Sequence, residues 1–216
     1  MSNPYFRFKQ FTVYHDLCAM KVGTDGVLLG AWAKIDKAKT ALDVGTGSGL
    51  ISLMLAQRSC DLNIDAIDID PDAVKQALIN TKNSPFSVQV NVFESTFQSM
   101  ENRKPFRKYD LIVSNPPYFI QSLQNPCAQK AMARHTQSLP VEDLLRVASG
   151  LLADNGRLCL IYPYDYKDYL LSQNILFVNK VVNVYPTPTS NPKRILIKLS
   201  SQKETLAESD LIIEKS

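Results

Sequence analysis

The sequence predicts an α/β fold, a doubly wound and mostly parallel sheet with helices on both faces. Three observations point there. From residue 40 onward, apolar runs of strand length alternate with helical patterns. The first strand-to-helix junction, "LDVGTGSG" at residues 42 to 49, is glycine-rich, as the first turn of such a sheet is when it approaches a ligand. With 216 residues, 45% hydrophobic and 21% charged, the chain suits a single domain with a sizeable core.

The elements follow in order. "YFRFKQFTVYH", residues 5 to 15, is aromatic and β-branched and reads as a short strand or hairpin. "TDGVLLGAWAK" offers Thr24 and Asp25 as helix caps and places Val27, Leu28, Ala31 and Trp32 at helical spacing for packing. "TALDV" is a buried strand, "GLISLMLAQR" a helix and "NIDAIDI" a second strand. "DPDAVKQALINTKN" starts with Asp70 as N-cap and Pro71 at the first helical position. "SVQVNVF" and "YDLIVS" are the third and fourth strands. "PVEDLLRVASGLLA" is an amphipathic helix ending near "DNG", and "GRLCLIY" is a fifth strand. After a helical "YDYKDYLLSQ", the strands "LFVNKVVNVYP" and "KRILIKLS" are joined by "PTPTSNP", a loop natural between antiparallel neighbours. The expected organisation is one domain over 1–216, with an N-terminal extension at 1–39, a core at 40–199 and a polar tail at 200–216.

Composition excludes several classes. No apolar span approaches the ~18 residues of a membrane-crossing helix, and "MSNPYFRFKQ" lacks a signal peptide's apolar core, so a cytoplasmic protein is expected. Cys18, Cys60, Cys127 and Cys159 form no C-x-x-C pair and have no histidine at a ligand-like interval, which predicts reduced thiols and no metal site. A net charge of +3 permits a nucleic-acid partner without requiring one.

Gly45, Gly47 and Gly49 lie between strand and helix, where glycine allows tight turns and close approach of a ligand to the main chain. Asp68 stands about twenty residues on, at the next strand's end, where a carboxylate accepts hydrogen bonds from ribose hydroxyls. Asp70 nearby reads as a helix cap. The spacing is G-x-G-x-G rather than G-x-G-x-x-G, and Asp43 precedes the first glycine, where it would repel a pyrophosphate but suit a cationic ligand. S-adenosyl-L-methionine, with its sulfonium and ammonium, is such a ligand.

"SNPPYF", residues 114 to 119, ends the fourth strand on the same sheet edge as the glycine loop. An exocyclic amine is a poor nucleophile because its lone pair is delocalised. Two acceptors gripping its hydrogens help expose that pair. The Asn115 side-chain oxygen and the Pro116 carbonyl fit this task, held rigidly by Pro116 and Pro117. Tyr118 would stack on the base for roughly 1–3 kcal/mol, and Phe119 would extend that platform.

These motifs resemble class I S-adenosylmethionine-dependent methyltransferases acting on amino nitrogens. With "FKQFTVYHDLCAMKVGTDGVLLGAWA", "LDVGTGSGLISLMLAQR" and "ARHTQSLPVEDLL", the chain is similar over about residues 5 to 199 to the bacterial tRNA1(Val) (adenine-N6)-methyltransferases. The resemblance implies a Rossmann-like, seven-stranded sheet with its last strand antiparallel, and N6 methylation of adenine 37 in the tRNA anticodon loop. It also implies Thr24 and Asp25 near the cofactor. Glu94 stands where relatives place an aspartate at the cofactor's adenine. In the long polar stretch 119–139, Lys130, Arg134 and His135 suit either anticodon-loop phosphates or a solvated face. "ENRKPFRKYD" reads as a solvated basic run.

Rival readings are methylation of a release-factor glutamine, of a guanine N2 in ribosomal RNA, or of DNA adenine, and a non-catalytic binding module. The short, β-like N-terminal portion argues against the first. Enzymes of the second kind usually add another domain, and few residues remain here for the recognition region that a DNA duplex needs, whereas an anticodon loop already presents unstacked bases. Two acceptors aimed at an amine serve no purpose in a pure binding module.

Overall fold

The computed structural model describes residues 3–103, 107–117 and 140–214. Strands β1 (Tyr5–Arg7) and β2 (Thr12–Tyr14) form an antiparallel hairpin. The continuous apolar runs become β3 (Thr40–Val44), β4 (Asn63–Asp68), β5 (Val90–Glu94), β6 (Tyr109–Ser114) and β7 (Leu152–Pro163), followed by β8 (Phe177–Tyr185), β9 (Arg194–Ser200) and β10 (Ala207–Ile212). Their order across the sheet is β10-β8-β9-β7-β6-β3-β4-β5. Strands β3 to β7 are parallel, as strands buried on both faces must be when helices connect them. β9 lies antiparallel between β7 and β8, where the proline-rich loop turns the chain back.

The sheet has eight strands rather than the expected seven. Residues 207–212, read from sequence as part of a polar tail, pair parallel with β8 from Ala207 opposite Lys180 to Ile212 opposite Tyr185. An edge strand needs little apolar content, because backbone pairing and polar contacts hold it. The Asn183 amide donates to Glu208 and to Asp210 at 2.9 Å each, and Lys167 pairs with Glu208.

Helices α1 (Thr24–Trp32), α2 (Leu50–Ala56), α3 (Pro71–Lys82), α4 (Val141–Leu151) and α5 (Lys167–Ser172) connect or cover the strands. Asp70 caps α3 as expected, its carboxylate accepting from the Asp72 amide at 3.0 Å. α1 departs from expectation twice. Its N-cap is Gly23, not Thr24 or Asp25; Val27, Leu28 and Trp32 pack partly buried against the core as expected, but Ala31 is exposed and the fully buried positions are Gly26, Leu29 and Gly30. The two glycines, one turn apart, let α1 lie directly on α2. A Cβ at Gly26 would stand 3.0 Å from Leu50 Cδ2, and one at Gly30 would stand 2.7 Å from Met54 Sδ.

β7 also starts earlier than "GRLCLIY". Leu152 already pairs with Tyr109, and the strand continues through "DNG" across a register shift between Tyr109 and Leu111. Two apolar layers flank the sheet. One joins α4 to β6, β7 and β9 through Leu144, Leu145, Ile112 and Ile197, and the other joins α1 and α2 to β3 and β4 through Leu29, Leu55, Ala41 and Ile64. A third cluster seats Phe11 and Val13 of the hairpin on Leu50, Leu53 and Met54 of α2.

Candidate active site

The parallel strands deliver their C-terminal ends to one edge, where the backbone leaves the sheet and ligands can reach it. Between β3 and α2 the main chain turns through three glycines with φ of +70° at Gly45, +55° at Gly47 and +80° at Gly49. The amides of Gly45 and Thr46 both donate to the Ile67 carbonyl at 2.9 Å, which pins the loop to β4. Among the described residues a Cβ on Gly45 or Gly47 would meet nothing within 4 Å, so packing against them does not account for these two glycines. Gly49 differs, because its Cβ would press on Ala77 of α3 at 3.4 Å.

Asp68 closes this loop from the neighbouring strand. One carboxylate oxygen accepts the Gly47 amide at 2.8 Å and the other accepts the Asp70 amide at 3.0 Å. Each oxygen keeps a further lone pair for an incoming hydroxyl. Glu94 lies opposite Asp68 in register at the end of β5, exposed. The Ser95 amide donates to the Asp68 carbonyl at 2.9 Å.

Asp43 is fully buried. Its Oδ2 accepts from Thr46 Oγ1 and Ser52 Oγ at 2.7 Å each and from the Ser52 amide at 3.1 Å, bracing the loop from below. Its Oδ1 has no partner among the described residues. Burial pushes this carboxyl from 3.8 up to about 6, against the hydrogen bonds from Ser52 and Thr46 and with a further push from Asp68.

The end of β6 lies beside the same loop. Ser114 is in register with Val44, and its hydroxyl donates to the Val44 carbonyl at 2.8 Å. Asn115 therefore leaves the sheet next to the point where the chain enters Gly45. Asn115 is half-buried, Pro116 buried and Pro117 exposed. Tyr118, Phe119, Lys130, Arg134 and His135 lie outside the described residues.

Asp25 is drawn toward the far side of the edge. It pairs with Arg194 Nε at 2.8 Å. Arg194 opens β9 opposite Pro163, three strands from β3. Thr24 and Asp25 line a cleft there with Val184, Lys193 and Arg194. The next residue, Gly26, still touches Leu50 at the start of α2, so α1 spans from the glycine loop to this cleft.

Sequence reasoning missed the residues that mount the N-terminal hairpin on the site. The Asn80 amide of α3 donates to the Tyr14 carbonyl at 2.7 Å and to the Ser48 carbonyl at 2.8 Å, while its oxygen accepts the Tyr14 amide at 3.0 Å. Gln76, one turn earlier, accepts the Leu17 amide at 3.0 Å. His15 bonds the Asn3 carbonyl through Nε2 at 3.0 Å and lies 3.5 Å from the Val22 amide through Nδ1, tying the start of the chain to the segment that leads into α1. The following Cys18 sits close enough to Asp68 and Asp70 that their charges, after burial, help push its thiol up to about 12. Two amides on the apolar stripe of α3, beside Ala73 and Ala77, were the available signal.

The basic run before β6 is tied into the structure rather than only solvated. Arg107 pairs with Asp65 at 3.2 Å, Arg103 lies 3.8 Å over the Phe93 ring, and Lys108 donates to the Gly150 carbonyl. Among the described residues no helix is long and apolar enough to cross a membrane.

The family model for the methyltransferase small domain matches residues 22–176, a span running from the start of α1 past β7 and covering both the glycine loop and Asn115. The chain belongs to this methyltransferase family. A curated protein of Parabacteroides distasonis, named tRNA1(Val) (adenine(37)-N6)-methyltransferase, is 50% identical over 93% of this methyltransferase and 85% of its own length. One of Bacteroides fragilis with the same name is 45% identical over 100% of this chain and 92% of its own. Among solved structures, a predicted O-methyltransferase from Agrobacterium tumefaciens superposes with a TM-score of 0.67 at 18% identity, covering 89% of each chain, which places this methyltransferase in the same Rossmann-like fold.

Proposed function

We propose that this chain transfers a methyl group from S-adenosyl-L-methionine to the exocyclic N6 amine of an adenine in tRNA, and that the target is adenine 37 in the anticodon loop of tRNA1(Val). The observation that carries this reading is the pairing of Ser114 with Val44, which sets the start of "NPPY" against the glycine loop in a chain whose near-full-length relatives bear that activity in their names.

The residues present fit the cofactor: among the described residues nothing fills the space beside Gly45 and Gly47 that a side chain would take, and Asp68 offers lone pairs beside it. Gly45, Gly47 and Gly49 would shape the backbone around it, Asp68 would take the ribose hydroxyls, and Glu94 would face the adenine ring. Buried Asp43 would favour a cation from beneath the loop. When bound, S-adenosyl-L-methionine supplies an electrophilic methyl on a sulfonium. Asn115 and the Pro116 carbonyl hold the hydrogens of the target amine, drawing its lone pair out of conjugation, while Pro116 and Pro117 keep these acceptors from reorganising. Tyr118 would stack on the target base, a platform that Phe119 would extend. No strong general base is needed, because the amine becomes acidic once methylated, so catalysis rests on positioning and electrostatics. Thr24 and Asp25 at the start of α1 would stand near the cofactor, and Lys130, Arg134 and His135 would contact RNA phosphates.

The test is nucleoside mass spectrometry after incubating the protein with S-adenosyl-L-methionine and unmodified tRNA, with release factor offered in parallel. N6-methyladenosine in the tRNA is expected, and Asn115→Ala should lower its formation by about 100-fold while leaving cofactor affinity nearly unchanged. A methylated release factor with untouched tRNA would overturn the substrate, and full activity of the variant would overturn the role of Asn115.

A further inference from the structure

The hairpin of β1 and β2 is seated on α2 through β2, while Tyr5, Phe6 and Tyr14 stay exposed among the described residues. Val13 is fully buried against α2. Because side chains alternate along a strand, Tyr5, Arg7, Thr12 and Tyr14 share the opposite face, where the register sets Tyr5 against Tyr14 and Arg7 against Thr12. The two tyrosine rings stand 5.7 Å apart, each 41% exposed. Within residues 3–22 the exposed charges are Arg7, Lys9 and Lys21 against Asp16 alone. The hairpin segment thus combines two exposed tyrosine rings with a local excess of positive charge.

Its mounting is rigid. Asn80 grips Tyr14 through both backbone groups, and the same amide holds Ser48 of the glycine loop. A ligand resting on the outer face is therefore held in a fixed relation to the loop. Aromatic faces that stack bases, set among cations that follow phosphates, are the chemistry of single-stranded nucleic-acid contact.

We propose that the outer face of this hairpin is a docking surface for the tRNA substrate, with Tyr5 and Tyr14 stacking on an unpaired nucleotide and Arg7, Lys9 and Lys21 on the phosphates around it. The inference rests on the tRNA reading above and adds a binding surface outside the "NPPY" site. It predicts that the hairpin sets affinity for RNA and leaves the chemical step alone.

The experiment compares wild type, Tyr5→Ser/Tyr14→Ser, Tyr5→Phe/Tyr14→Phe and Arg7→Gln/Lys9→Gln in steady-state methylation of tRNA and in direct tRNA binding at several salt concentrations. The serine pair should raise KM for tRNA about 10-fold or more, the loss of one stacked base, with kcat within about 2-fold of wild type and cofactor affinity unchanged. The phenylalanine pair keeps the rings and should restore the wild-type KM, which a merely structural role for the hydroxyls or a misfolded hairpin would not predict. The exposed charge variant should bind tRNA more weakly and flatten the dependence of log K on log salt by about 1–2. Wild-type KM in the serine pair together with an unchanged salt slope in the charge variant would overturn the docking surface while the tRNA reading stood. If wild type neither binds nor methylates tRNA, both fall.

Discussion

Replacing Asp43 by asparagine changes one buried charge and almost no volume, and its consequence can be worked from the structure. The carboxyl is fully buried, Oδ1 lacks a partner among the described residues, and burial raises its pKa to about 6 from 3.8. The folded protein therefore holds this proton after the unfolded chain has released it. The stability due to the neutral form is present below pH 3.8 and is lost as pH rises to about 6. Two pH units at about 1.4 kcal/mol each make the loss about 3 kcal/mol. An asparagine side chain does not ionise, so the stability of Asp43→Asn minus that of wild type should grow by about 3 kcal/mol across that window. Urea unfolding of both proteins at a series of pH values reads this difference directly and cancels the other carboxylates. A difference constant within about 1 kcal/mol would refute the reasoning. The same variant should bind S-adenosyl-L-methionine about 10-fold more weakly, because a negative charge beneath the loop favours a cation above it. Unchanged affinity in calorimetry would leave Asp43 a brace for the loop and nothing more.

Three further outcomes are expected. Asn80→Ala removes three hydrogen bonds of a fully buried amide; denaturant unfolding should show a loss of about 2–4 kcal/mol, and a loss under about 1 would mean the hairpin is held by its apolar contacts alone. Gly47→Ala forces a Cβ onto a backbone at φ +55°, costing about 1–2 kcal/mol of stability. It should cost at least about 10-fold in cofactor affinity by filling the space beside the loop, and wild-type calorimetry would show that the space is not the ligand's. Cys18, with its thiol pushed up to about 12, should alkylate with iodoacetamide at pH 8 about 100-fold or more slower than a free cysteine, followed by mass spectrometry in a Cys60→Ser/Cys127→Ser background. Labelling at the free-thiol rate would contradict the environment described around Asp68 and Asp70.

What could be read from the sequence was whatever depends on local chemistry. Asp70 and Pro71 announce a helix start because a cap and a fixed φ act on the nearest amides. Gly45, Gly47 and Gly49 mark the loop because few other residues take its positive φ. "PTPTSNP" marks the antiparallel turn because its length and prolines do not suit a crossover. What escaped depends on partners far away in the chain. The glycine contact of α1 was missed because glycine carries no hydrophobic signal, although Gly26 and Gly30 let α1 lie against Leu50 and Met54 of α2. β10 was missed because an edge strand held by its backbone and by Asn183 needs no apolar pattern. Asp43 was read only as a charge suited to a cationic ligand; that Ser52 and Thr46 enclose it escaped, because only the folded turn brings them there.

The place of β9 in the sheet bears on the order in which the molecule can be assembled. Both strands that flank β8, namely β9 and β10, come later in the chain than β8 itself. A polypeptide emerging from its N-terminus can zip β3 to β7 together as each appears. β8 then waits without a neighbour until "RILIKLS" slides in between it and β7. Synthesis thus exposes Phe177–Tyr185 as a solitary apolar strand for the time taken to make about fifteen more residues, at roughly 5–20 residues per second. The interval in which this chain is most open to wrong partners is set by its topology, between the synthesis of β8 and that of β9 and after β3 and β6 have already met.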